Sequence, residues 1–191
     1  MKPHTICILD GRPAGSASGD GGLSTLRQTL AERGWSERVH RLADLEIAPC
    51  RGCFACWVKT PGICIIDDVG RDVARSVIRS DLAVFVTEIT FGGYSSILKK
   101  AVDRLIPLIL PFFHRVNGEV HHVPRYGSYP SLLGIGLLPA SNGEQERIFR
   151  TTVARNAINM QSPKSAACIL YEGDADEEAT AKVLRALGEV V

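Results

Sequence analysis

Short apolar runs alternate along this chain with amphipathic helical patterns, and that alternation limits the fold more than any other feature. The runs cover residues 5–9, 38–42, 82–87, 132–138 and 166–170, and each reads as a buried strand. The helical patterns cover residues 23–33, 68–79, 95–110, 144–159 and 176–187, with apolar residues at three- and four-residue steps. Their ends are marked: Gly34 stops the first, Asp67 is placed to cap the second, and Asp176 the last.

Strands that are each followed by a crossover imply a parallel sheet with both faces covered, because right-handed crossovers carry the helices over those faces. The expected fold is therefore α/β, a flavodoxin-like three-layer sandwich with a five-stranded parallel sheet. In that winding the ligand crevice opens at the carboxyl ends of the strands, beside the point where the strand order reverses. Loops 10–22, 88–94 and 139–143 are expected to line it.

With 191 residues, 45% of them hydrophobic, the chain suits one domain spanning residues 1–191. The formal net charge is +1 and no basic run exceeds Lys99-Lys100, so neither nucleic acid nor an anionic membrane is an expected partner. A small molecule is the default ligand. The N-terminal apolar run is too short for a signal-peptide core or a membrane span, and a cytoplasmic location is expected.

In a reducing compartment a cysteine cluster is more often metal-binding or catalytic than a disulfide framework. Cys50-Arg-Gly-Cys53-Phe-Ala-Cys56-Trp57 is such a cluster, completed by Cys64 within a cysteine-rich loop at 50–64. A loop that curls can aim these thiols at one polynuclear iron-sulfur centre, with Phe54, Trp57 and Ile63 as an apolar rim and Pro61-Gly62 turning the chain back. A tetrahedral zinc site is a second reading, and a metal-free thiol loop a third. Cys7 and Cys168 sit in apolar runs and read as core thiols.

Residues 111–130 have no helical period and read as an excursion: a lid, a binding loop or an interface arm. His121 and His122 within it are assigned no chemistry. Residues 107–113 are apolar and suit either a partner contact or a buried helix end. Asp103 and Arg104 read as surface or interface pairs along a helix. Asp67 and Asp68 read as helix caps, not as acid-base groups.

Thr87-Glu-Ile-Thr-Phe91-Gly92-Gly93-Tyr94-Ser95-Ser96-Ile97-Leu98-Lys99-Lys100-Ala-Val-Asp103-Arg104 resembles a characteristic segment of NADPH-dependent FMN reductases. The cysteine loop followed by Asp67-Asp68 resembles their iron-sulfur flavoprotein branch. The resemblance implies FMN at the strand ends, with Thr90, Phe91, Gly92, Gly93 and Tyr94 along the isoalloxazine. Two glycines let main-chain amides approach a planar ligand closely, and Phe91 and Tyr94 offer apolar surface.

The same family seats the FMN phosphate in the loop after the first strand. Here its usual Gly-Ser-Pro-Arg and later Gly-Asn-Thr are replaced by a glycine-rich run, residues 11–22, in which Arg12, Ser16 and Ser18 are the candidate donors. Asp20 has the wrong charge for such a pocket. Ser141, Asn142 and Gly143 either touch the flavin from its far side or cap the following helix.

The resemblance further implies NAD(P)H as co-substrate, a [4Fe-4S] cluster on Cys50, Cys53, Cys56 and Cys64, and a homodimer or homotetramer. The electron acceptor is then a small molecule or a redox protein. Hydride transfer to flavin requires no acid or base side chain, and none is nominated. Two alternatives stand beside this reading: a flavodoxin-type electron carrier without its own substrate, and a domain that has lost FMN and keeps a metal or thiol loop.

Overall fold

The computed structural model describes residues 4–116 and 118–191. β1 (Thr5–Asp10) leads into α1 (Asp20–Glu32) and then β2 (Ser36–Arg41). Gly34, at φ 77°, donates its N–H to the Ala31 carbonyl and ends α1 in the left-handed conformation that glycine adopts without strain. The cysteine segment follows, carrying the short α2 (Ala55–Val58), and reaches α3 (Gly70–Ile78). β3 (Leu82–Thr90) folds back on β4 (Gly93–Tyr94) before α4 (Ser96–Asp103). The hairpin β5 (Ile109–Val116) and β6 (Glu119–Pro124) precedes β7 (Ser131–Leu138), α5 (Gly143–Asn159), β8 (Ser165–Tyr171) and α6 (Asp176–Val190).

The described residues form a central sheet in the order β2-β1-β3-β7-β8, with those five strands parallel and β4 paired antiparallel to β3. The winding reverses between β1 and β3, as in the flavodoxin-like fold. Strand alternation decides which helix each residue meets. Ile6 and Ile8 face Leu26 and Leu30 of α1 and Val183 and Leu187 of α6. Cys7, Leu9 and Phe85 face the other way, into a core with Val77, Leu98, Phe149 and Val153 of α3, α4 and α5. Because both faces are covered, β7 is buried along its whole length and reads as a continuous apolar run. Cys7 and Cys168 lie in these two cores, where burial pushes their thiols up to about 12 and about 11.

Two sequence expectations change here. The helix expected over 95–110 stops at Asp103, is followed by a single tight turn over Ile106–Leu108, and becomes strand from Ile109. Pro107 explains the break, since a proline inside a helix removes one hydrogen bond and crowds the preceding turn. The excursion is ordered as the β5–β6 hairpin. The apolar stretch 107–113 divides: Pro107, Leu108 and Ile109 are buried, whereas Phe112 and Phe113 are exposed. No helix among the described residues is long and apolar enough to cross a membrane.

Candidate functional site

The loop after β1 is fastened at both ends. Gly11 donates its N–H to Val86 at 2.8 Å, and its carbonyl accepts from the Ser95 hydroxyl, at the start of α4, at 3.0 Å. Arg12, only 4% exposed, sits at the base of the loop. Its Nε and Nη2 donate to the two Asp10 oxygens at 2.9 and 2.8 Å, and its Nη1 donates to the Ser18 carbonyl at 2.8 Å and to Asp20 at 2.6 Å. Burial alone would raise the Asp10 carboxyl, but the bonds from Arg12 outweigh it and hold that carboxyl below its ordinary value. Arg12 is therefore engaged by the protein's own carboxylates. Ser16 and Ser18 are half-buried beside it, and Ser16 lines a polar cavity of about 150 Å³ with Asp10, Arg12, Gly15 and Arg41.

The turn between β3 and β4 carries Phe91 at φ 50° and Gly92 at φ 82°. A Cβ on Gly92 would meet Ile148 of α5 at 2.6 Å, so close approach as well as left-handed geometry requires glycine. Phe91 is 93% exposed at the tip, and Thr90 is exposed beside it. The Tyr94 side chain is elsewhere. It packs edge-on against Phe85 and Phe149, and its hydroxyl accepts from Asn156 at 3.0 Å. Burial pushes it up to about 12. The expected apolar surface at the crevice thus falls to Phe91, because the inward side of β4 places Tyr94 in the core.

Ser141, Asn142 and Gly143 are exposed after β7. The Asn142 side chain caps α5, accepting from the Gln145 N–H at 3.1 Å, and the Ser141 hydroxyl donates to Glu146 at 2.8 Å. Of the two readings left open for this loop, its side chains serve the cap.

All four thiols of the cysteine segment border one cavity of about 280 Å³, together with Phe54, Ile66, Arg104, Ile106 and Pro107. Positive φ at Gly52, Phe54 and Gly62 curls the segment inward. Cys50 and Cys53 are exposed, Cys64 is half-buried and Cys56 is buried. Burial pushes the Cys56 thiol up, and the nearness of Cys64, Cys50 and Cys53 pushes it further. Among the described residues no three His, Cys, Asp or Glu side chains are grouped closely enough to hold a metal ion as they stand. Of the expected rim, Phe54 borders the cavity. Trp57 instead stacks on Phe54, meets the His122 ring at a tilt and donates to the Ile109 carbonyl, while Ile63 borders a neighbouring cavity.

The base of this segment is closed by residues that sequence reasoning assigned elsewhere. Arg104 was expected at a surface or interface but is only 2% exposed, and its fork grips both oxygens of Asp68 at 2.9 and 2.8 Å. Asp68 also accepts from the N–H groups of Ala48 and Gly70 at 2.9 and 3.0 Å. It thereby secures the start of α3, whereas Asp67 pairs with Arg71 in solvent. Burial opposes the Arg104 charge, yet Asp68, with the Cys64 sulfur adding, more than compensates, and its pKa rises. Asp176 likewise lies in the first turn of α6 and does not cap it.

The two halves of the site lie at opposite ends of α4. Ser95 holds the loop after β1, and Arg104 borders the thiols; the eight residues of α4 between them span about 12 Å at the helical rise of 1.5 Å per residue.

Residues 5–124 match the model of the NADPH-dependent FMN reductase family, which is more than half of the chain. The chain belongs to this family. It is 37% identical over 94 residues to an iron-sulfur flavoprotein of Methanocaldococcus jannaschii, covering 48% of this chain and 47% of that protein. It is also 24% identical over 103 residues to an iron-sulfur flavoprotein of Methanosarcina thermophila, covering 54% of this chain and 53% of that protein. The chain thus spans about half the length of the curated relatives it matches. A solved NAD(P)H:quinone oxidoreductase from Methanothermobacter marburgensis superposes with a TM-score of 0.69 at 13% identity, over 96% of this chain and 94% of that one, and shares the fold.

Proposed function

We propose that this family member is an oxidoreductase in which NAD(P)H reduces FMN at the strand ends, and electrons pass to an iron-sulfur centre on Cys50, Cys53, Cys56 and Cys64 or to an external acceptor. The observation that carries this reading is the convergence of the four thiols on one cavity at one end of α4, whose other end holds the loop after β1. Four thiols on one cavity suit either a polynuclear centre or a zinc ion, and the similarity to two iron-sulfur flavoproteins favours the former.

The residues fit FMN in two places. The β3–β4 turn presents Thr90, Phe91 and the main chain of Gly92 and Gly93 for the ring. The loop after β1 presents the Ser16 and Ser18 hydroxyls and a glycine-rich main chain for the phosphate. Arg12 joins them once Asp20, whose side chain is 59% exposed, swings into solvent. Bound there, FMN supplies hydride acceptance from the nicotinamide and one-electron exchange with a second centre. The protein's part is to orient the ring, hold the phosphate and set the distance to the thiols through α4.

The Arg12–Asp20 contact supports a second reading, the domain that has lost FMN and keeps its thiol loop. The exposed Phe91, Phe112 and Phe113 support assembly of two or more copies. Anaerobically prepared protein tests the cofactor readings by visible absorption with flavin, iron, sulfide and zinc analysis, then rapid mixing with NADPH and NADH, and its mass in solution tests the assembly. Flavin bleaching by either nucleotide is expected. Bound flavin that neither nucleotide bleaches marks a carrier, and protein that takes up no added FMN overturns the flavin reading.

A further inference from the structure

Arg104 borders the cysteine cavity, and one of its hydrogen-bond donors has no partner among the described residues. A guanidinium carries five N–H groups in a rigid fork. Four in Arg104 are accounted for: Nη1 donates to Ala48 and Asp68, at 2.8 and 2.9 Å, and Nη2 to Ile66 and Asp68, at 3.3 and 2.8 Å. Nε is buried and has no hydrogen-bond partner among the described residues. Leaving a charged donor unsatisfied in the interior is costly.

The placement of the partners is equally telling. Ala48 precedes the first cysteine of the cluster, and Ile66 and Asp68 follow the last. One side chain therefore ties both ends of the cysteine segment together at its base while bordering the cavity that Cys50, Cys53, Cys56 and Cys64 share.

We propose that Arg104 is the positioning residue of the thiol-bound centre: its Nη groups close the cysteine segment, and its Nε–H bonds a sulfur in the cavity, the Cys64 thiolate or a sulfide of the centre. The proposal rests on the reading that these four cysteines hold an iron-sulfur centre. Sulfur there is anionic, so the bond is charge-assisted and favours the more reduced, more negative state. Lysine keeps the charge but has three donors on a single nitrogen, and cannot serve both the clamp and the cavity.

The test uses the full chain, loaded anaerobically with ferrous iron and sulfide, as wild type, Arg104→Lys and Asp68→Asn. Iron and sulfide per chain, chromophore lifetime against a chelator, and the midpoint potential of the centre are measured. Arg104→Lys is expected to weaken the centre about tenfold or more, as outer-shell changes do, and to shift its midpoint to more negative values. Asp68→Asn loosens the same clamp but leaves Nε in place, so it is expected to shorten the lifetime without a negative shift. An Arg104→Lys centre with the wild-type midpoint overturns the proposal.

Should that variant fail to fold, wild-type protein labelled with ¹⁵N at arginine Nε and reduced gives the answer by electron spin-echo spectroscopy. Modulation from one ¹⁵N that persists when Arg51, the other arginine bordering the cavity, is replaced (Arg51→Lys) supports the bond, and its absence overturns it. Wild-type protein that takes up neither iron nor sulfide sinks the metal reading first, and the proposal with it.

Discussion

Two buried arginines grip carboxylates at opposite ends of α4, and they are used differently. Arg12 faces carboxylates on two sides, Asp10 and Asp20, and both terminal nitrogens as well as Nε are bonded within its own loop. Arg104 has a single carboxylate, Asp68, two carbonyls, and a fifth N–H without a partner among the described residues. The first arrangement is closed on itself and must open to accept an anion. The second keeps one donor unused, and among the described residues no other carboxylate bonds it.

That asymmetry orders the expected effects. Asp68→Asn removes the carboxylate that both terminal nitrogens of Arg104 grip, and breaking a buried pair from one side costs about 3 kcal/mol or more. Urea unfolding of the apoprotein measures it, and a loss below about 1 kcal/mol contradicts the role of Asp68 as the main counter-charge.

Asp10→Asn should cost less, about 2 kcal/mol at neutral pH, because Arg12 retains Asp20 and the Ser18 carbonyl. The pH dependence has a definite sign. The Asp10 carboxyl titrates lower in the folded protein than in the unfolded chain, so its contribution is complete above the unfolded value of about 4 and is lost as pH falls through the folded one. The stability gap between wild type and Asp10→Asn is therefore expected to close on acidification. A gap that stays constant down to pH 3 denies the charge origin of the effect.

Asp20→Asn acts on binding rather than folding. Its contact with Arg12 is half in solvent and worth about 1 kcal/mol, so releasing Arg12 should strengthen FMN binding about fivefold. Riboflavin, which lacks the phosphate, should bind as before. Flavin fluorescence titration reads both; equal changes for the two flavins place the effect away from the phosphate.

The same contrast explains what the sequence disclosed. The strands and flanking helices were legible because each rests on short-range periodicity, the sheet order followed from the winding expected of five strand-crossover units, and the curling cysteine loop was legible from its spacing. Arg12 bonds partners two, six and eight residues away, so its loop was at least recognisable as anomalous from Asp20 alone. Arg104 bonds partners 36 to 56 residues away, and nothing in Asp103-Arg104 distinguishes an inward arginine from a surface one. Tyr94 was misplaced for a related reason: after a tight turn the facing of a two-residue strand is set by the sheet it joins. The signal that could have found Arg104 is Pro107, which ends the helix early and leaves the adjacent arginine beside the cysteine loop.

The smallest effect is the sharpest check, because it separates neighbours in sequence. Asp67 and Asp68 both pair with an arginine, yet the Asp67 side chain is 85% exposed and its partner Arg71 also bonds the carbonyls of Cys64 and Ile65. An exposed pair gains little in water, and Arg71 keeps its backbone contacts without it. Asp67→Asn is therefore expected to change stability by less than about 0.5 kcal/mol, against about 3 kcal/mol for Asp68→Asn in the same urea experiment. Equal losses at the two positions would mean that local charge near α3, rather than the Arg104 clamp, holds the cysteine segment, and the contrast between the two ends of α4 would lose its physical basis.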